Sequence, residues 1–178
     1  FKAKLPTTLQ SKERPDLFFS WAGGVFYEQA RAGVLRDITS FIEGEWAATL
    51  SPAGVRAFTY EGKVYGAPMK TVLEILWFNK ALLEKAKVDP ASLATWSGFI
   101  DAVKKCKAAG ITPLATGGGD KWPLHFFWTM LALRIGGKEA FEAAYSREGE
   151  GFDSPTFVKA GEMFKELIDL QPFQPGFL

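Results

Sequence analysis

The fold turns on "TVLEILWFNK", Thr71–Lys80. Thr71–Phe78 is a nearly continuous apolar run that is β-branched at its start. Such a run reads as a strand buried on both faces, as in a sheet covered by helices. Asn79, the chain's one asparagine, separates it from the helical pattern "KALLEKAKV". An asparagine there is most economically an N-cap, accepting a bond from an orphan helix N–H.

Outward from this point the same alternation repeats. "PDLFF", Pro15–Phe19, reads as a short buried strand, and "SWAGG" follows as a loop. "VFYEQARAG" reads as a helix closed by Gly33. "EGKVYGAP", Glu61–Pro68, is a turn and then an extended segment. Thr95 caps "WSGFIDAVKKCKAAG", where Trp96, Phe99, Ile100, Val103 and Cys106 share one face and Gly110 ends the helix. "ITPLAT" is a short strand. Ser154 caps a last helix with Pro155 at its first position and Phe157, Phe164, Leu167 and Ile168 on its apolar face. Strands alternating with helices predict an α/β protein with a largely parallel sheet or sheets. In such folds ligands gather where loops leave the carboxyl ends of strands. "SWAGG" and "TGGGDKW", Thr116–Trp122, stand at such places, and their glycines let the backbone come close to something bound.

Composition narrows the function. The 178 residues are 47% hydrophobic and 23% charged, the balance of a folded globular protein. Net charge is +1, with acids and bases interspersed, and no basic stripe suggests nucleic acid. Aromatics are abundant, with 16 Phe and 6 Trp, enough to furnish a binding surface besides a core. The single Cys106 excludes an intrachain disulfide and reads as a buried, inert thiol. The apolar stretch Trp122–Ile135 is shorter than the roughly 20 residues that span a bilayer. The chain opens on Phe1 rather than Met, which reads as a processed or partial sequence.

Catalytic signatures are missing. "GGK", Gly136–Lys138, lacks the first glycine and the hydroxyl of a phosphate loop, and there is no G-x-S-x-G elbow. One His and one Cys argue against a zinc cluster, and no cofactor or metal is expected. His125, inside "LHFFW", reads as a satisfied core histidine.

An ordered series of short motifs remains: "RPDLFFSWAGG", "RAGVLRDIT", "GKVYGAP", "FNK", "TWSGF", "AAGITPLA" and "DKW". In that order they resemble the extracellular solute-binding proteins of ABC transporters, in particular the sugar-binding family that includes maltose-binding protein. The likeness runs over nearly the whole chain. Members are more than twice as long, so by this resemblance the chain is partial. Gly98 stands where the family often has the Glu of a capping box.

The resemblance implies a periplasmic-binding-protein-like type II fold, two α/β lobes joined by a hinge, incomplete here. Residues 1–75 would be part of lobe one and 76–178 part of lobe two. It implies a periplasmic or cell-surface receptor, monomeric and not an enzyme, that closes around a sugar and hands it to ABC permease subunits. The cleft positions it implies are Trp21 with Gly23 and Gly24 from lobe one, and Asp120 and Trp122 from lobe two. Met69 is a further candidate. An indole would pack against the C–H face of a pyranose, and Asp120 would accept hydroxyls in charge-assisted bonds. Trp122 could instead staple its helix, Trp21 could pack under its loop, and Asp120 could serve as a cap. Trp77 and Trp96 read as structural. After Trp21 the charged residues of some members are replaced by glycine and Val25, which argues against a maltose-type specificity. A polyol or a sugar phosphate in the same fold is the alternative, with Arg31, Arg36 and Lys70 as nearby cations; a carbohydrate-active enzyme is a further one.

Overall fold

Side-chain caps from Ser51, Asn79 and Thr95 start three of the α-helices. The computed structural model describes residues 1–178, which divide into two compact units, Phe1–Leu73 and Glu74–Leu178.

The first unit holds α1 (Leu5–Gln10), α2 (Gly24–Arg31), α3 (Gly44–Thr49) and α4 (Pro52–Ala57). Ser51 caps α4 by accepting the Gly54 N–H, and Pro52 supplies a preset φ at its start. Next come strands β1 (Thr59–Tyr60) and β2 (Lys63–Val64), paired antiparallel with Thr59 opposite Val64. Glu61 and Gly62 join them with φ of 47° and 78°, as the two-residue hairpin turn that matches strand twist requires. Phe26 is fully buried, edge-on to Phe58 at 5.4 Å between ring centroids.

A polar knot ties the hairpin to the residues before it. Thr39 donates its N–H (2.9 Å) and its hydroxyl (2.6 Å) to Asp37 Oδ1, and its own Oγ1 accepts the Val64 N–H at 2.9 Å. The Thr39 hydroxyl and amide, with Lys63 at 3.6 Å, hold the Asp37 carboxyl below its usual range. A carboxyl depressed on folding contributes stability above its unfolded pKa and loses it as pH falls through the folded value. The Asp37→Asn variant is therefore expected to melt below wild type at pH 7, with the gap closing as pH drops below about 4. Thermal midpoints measured from pH 7 to pH 2 check this; a gap that stays constant refutes it.

The second unit holds α5 (Lys80–Lys85), α6 (Trp96–Ala108), α7 (His125–Tyr145) and α8 (Pro155–Asp169). Asn79 caps α5 through the Leu82 N–H at 3.2 Å, and Thr95 caps α6 through the Gly98 N–H at 3.2 Å, as their positions predict. Ser154 stands at the start of α8 but makes no side-chain capping bond. Leu131, Ala132 and Ala144 of α7 pack with Phe157 and Ala160 of α8. Beside them Ile100 and Val103 of α6 meet Leu167, and Phe127 stacks on Phe164 at 5.8 Å. Burying one such side chain contributes about 1.5–3 kcal/mol. Cys106 lies in a third cluster with Ala86, Val88 and Ala102, and burial pushes its thiol pKa up, away from reactivity. Trp96 is structural as expected, packed on the core with its Nε1 donating to Glu166 at 2.7 Å.

The glycines at 136 and 137 organise α7 and have nothing to do with phosphate. A Cβ on Gly136 would sit 2.4 Å from Thr156 Cγ2, so the residue permits close approach of α8. Gly137 breaks the helix with φ 70° and ψ −175°, a region essentially closed to other residues. Gly137→Ala is expected to cost about 2 kcal/mol of stability, read as a lower urea midpoint at unchanged m-value. An unaltered midpoint would show that the kink is dispensable.

The sheet departs from expectation. Thr71–Phe78 is extended but makes no backbone hydrogen bond, and its apolar side chains are exposed, Trp77 to 84%. Trp77 is therefore not a packed structural residue. Pro15–Phe19 forms no strand either, and Leu17 is 91% exposed. Of "ITPLAT", Leu114 alone makes a ladder contact, a parallel bridge to Phe173. The α/β expectation thus meets one antiparallel hairpin and one parallel bridge. A strand exists only where a second backbone supplies its partners, and no backbone hydrogen bond joins 71–78 to another segment.

Candidate functional site

In the second unit the glycine-rich loop is held at its base by a side chain that imitates a strand. Gln174 accepts the Thr116 N–H (3.1 Å) and donates to the Thr116 carbonyl (2.6 Å), while Leu114 N–H bonds the Pro172 carbonyl at 2.9 Å. Residues 114–116 are thereby fastened to 172–174. Gln174 was not foreseeable from sequence, since its partner lies far along the chain and no local pattern marks it. Gly118 has a local structural reason. A Cβ there would lie 2.5 Å from the Phe177 carbonyl oxygen, so glycine at this position admits the chain's own backbone.

From this base two tight helical turns, Gly118–Asp120 and Trp122–Leu124, lead into α7. Lys121 joins them with φ 65° and ψ −49°, near the strained form of the γ-turn that non-glycine residues seldom adopt. Trp122 emerges from that corner with 57% of its surface exposed. Its ring stands edge-on to Phe126, centroids 5.7 Å apart and planes at 87°, which leaves the indole supported rather than loose. Asp120 is exposed, and its carboxylate neither caps the following turns nor makes a hydrogen bond or ion pair within the protein. Asp120 and Trp122 are thus close in sequence and both open to solvent.

His125 is not a core residue. Its imidazole is exposed, 4.2 Å from the Phe126 ring centroid, and its Nδ1 is hydrogen-bonded to the Trp122 carbonyl. The buried face of α7 begins further on, with Leu131 and Ala132, so the apolar string "LHFFW" misled by surrounding a surface position with partly buried neighbours.

In the first unit Trp21 is half-buried. Phe19 meets it edge-on at 5.2 Å, Phe1 lies at 6.0 Å, and the Lys2 ammonium sits 4.3 Å over the ring. Gly23 precedes α2 with φ 79°, a conformation that favours glycine, and a Cβ at Gly23 or Gly24 would meet open space. Met69 is 84% exposed in an extended stretch. Of the candidate cations for an anionic ligand, Arg31 pairs with Glu28 at 3.1 Å, Arg36 lies over the Phe41 ring, and Lys70 is exposed.

An open hollow of about 370 Å³ lies elsewhere in the second unit, walled by Leu76, Phe78, Leu83, Phe99, Val103 and Leu114. Its lining is mostly apolar, with Asn79, Thr112 and Gln174 as polar members. No group of three or more His, Cys, Asp or Glu is placed to hold a metal ion, and no helix is long and apolar enough to cross a membrane.

The model of one family, the bacterial extracellular solute-binding proteins, matches residues 1–176. The chain belongs to that family. Among similar proteins this solute-binding chain is 30% identical over 149 residues to a probable sugar-binding periplasmic protein of Mesorhizobium japonicum, covering 82% of the chain and 35% of the relative. It is 26% identical over 173 residues to an uncharacterized ABC transporter extracellular-binding protein of Pyrococcus horikoshii, covering 94% and 38%. A structure solved in work on xylan utilization by the thermophilic bacterium Caldanaerobius polysaccharolyticus superposes with a TM-score of 0.83 at 30% identity, covering 99% of this chain and 44% of the other. A chitin oligosaccharide binding protein superposes at 0.82 with 23% identity, a likeness of fold. The solute-binding chain therefore spans well under half the length of the proteins it matches.

Proposed function

We propose that this solute-binding protein is a receptor for a neutral carbohydrate, held against Trp122 with Asp120 as a hydroxyl acceptor. The observation that carries this is the exposed indole, braced by Phe126, beside a carboxylate that nothing in the protein satisfies. A pyranose offers what both need: a C–H face for the ring and hydroxyl donors for the carboxylate. Relatives described as sugar-binding and as chitin oligosaccharide binding support the substrate class.

In the same reading the protein works outside the cytoplasmic membrane, as a monomer, and delivers its ligand to the permease of an ABC importer without chemistry. Residues 1–75 and 76–178 are parts of two lobes, and the extended stretch Thr71–Phe78 crosses from one to the other. Trp21, Gly23, Gly24 and Met69 contribute from the first lobe when the lobes close on ligand.

Calorimetric titration of the intact protein against neutral mono- and oligosaccharides, polyols and sugar phosphates tests the proposal. A micromolar neutral saccharide is expected. Binding confined to phosphorylated compounds, or hydrolysis of a glycoside during the titration, would replace it.

A further inference from the structure

Among the side chains around Trp122, His125 has one ring nitrogen bonded to the protein and one without a protein partner. Its Nδ1 is hydrogen-bonded to the Trp122 carbonyl. A carbonyl oxygen only accepts, so Nδ1 carries the proton and donates. In a neutral imidazole the other nitrogen, Nε2, is then a bare acceptor. That nitrogen has no partner within the protein, and the residue is exposed. The same Trp122 carbonyl also accepts the His125 backbone N–H, so both of its lone pairs are engaged by one residue. Phe126 completes the group, with its ring 4.2 Å from the imidazole and tilted 35° to it, and 5.7 Å from the indole. The imidazole cannot swing freely without giving up both its ring contact and its bond to Trp122. It is a fixed acceptor attached to the residue that carries the exposed indole.

We propose that His125 is a specificity-determining contact of this receptor: its Nε2 accepts a hydroxyl of the saccharide lying on Trp122, while its Nδ1–H fixes the Trp122 backbone. The inference rests on the carbohydrate reading given above. Its content is separate, because a sugar stacked on Trp122 and bonded to Asp120 does not require an imidazole at all. The two functions of the ring are divisible. Asparagine can reproduce the Nδ1 donor but does not reach the place of Nε2; glutamine can place an amide oxygen near Nε2.

The experiment titrates the intact protein and its Trp122→Ala, His125→Asn and His125→Gln variants with the tightest-binding neutral oligosaccharide of the panel. Thermal midpoints are recorded alongside. His125→Asn is expected to weaken binding about tenfold, the effect of one lost hydrogen bond in a partly dry site. His125→Gln is expected to stay within about threefold of wild type, with midpoints of both variants near that of wild type. Affinity unchanged in His125→Asn while Trp122→Ala has lost binding would overturn the role of His125 and leave the carbohydrate reading standing. Affinity unchanged in Trp122→Ala would bring down the carbohydrate reading itself. Should His125→Asn fail to fold, ¹⁵N NMR of the wild-type imidazole decides: a ligand-induced shift confined to Nε2 supports the contact, and an unmoved Nε2 resonance refutes it.

Discussion

Replacing Gly98 by alanine is expected to lower the stability of the protein by about 3 kcal/mol, the upper end of what an overpacked site costs. The reason is local and geometric. A Cβ on Gly98 would lie 2.0 Å from the Ser92 carbonyl oxygen and 3.0 Å from Thr95 Oγ1. The first atom belongs to the tight turn Pro90–Ala94 that leads into α6, and backbone cannot step aside as a long side chain would. The second is the capping oxygen that receives the Gly98 N–H, so the intruding carbon also strains the bond that starts the helix. The urea midpoint followed by circular dichroism reads the loss. Ser97→Ala, one residue earlier and exposed, is expected to fall within about 0.5 kcal/mol of wild type. Equal midpoints for the two variants would mean that the turn yields easily. With the turn in place there is no room for a side chain at Gly98.

Loss of the Trp122 indole is the second large effect. Trp122→Ala is expected to weaken saccharide binding at least thirtyfold, on the order of 2 kcal/mol or more, as aromatic anchors at binding surfaces do. Stability should change little, because more than half of the residue already faces water. Trp46→Ala, another exposed tryptophan but on α3, is the control and should leave affinity as it was. Titration of both variants beside wild type separates a specific plate from general surface hydrophobicity. Parallel losses in the two would refute the assignment.

Helix starts were legible because a cap is a local bargain between neighbours. Asn79 and Thr95 each face an amide three residues on, and both bonds form. The apolar face of α6 was legible for the same reason, since Ile100, Val103 and Cys106 follow helical spacing and all are buried. Sheet membership was not, because it depends on a second backbone that sequence neighbours cannot supply. Thr71–Phe78 has the composition of a buried strand, yet its apolar side chains lie open and no backbone partner bonds to it. At the candidate site Trp122 and Asp120 were marked by their glycine-rich setting and by resemblance. His125 was misjudged because the aromatic run around it conceals which turn of α7 faces water. Gln174 was missed altogether, since a side chain that borrows the role of a strand leaves no periodic trace.

The amide of Gln174 has one further consequence. With the bond from the Leu114 N–H to the Pro172 carbonyl, it ties the base of the glycine loop to residues 172–174 as one mechanical piece. Truncating the Gln174 side chain would therefore loosen the base of the loop that leads to Trp122, although the two lie far apart in sequence.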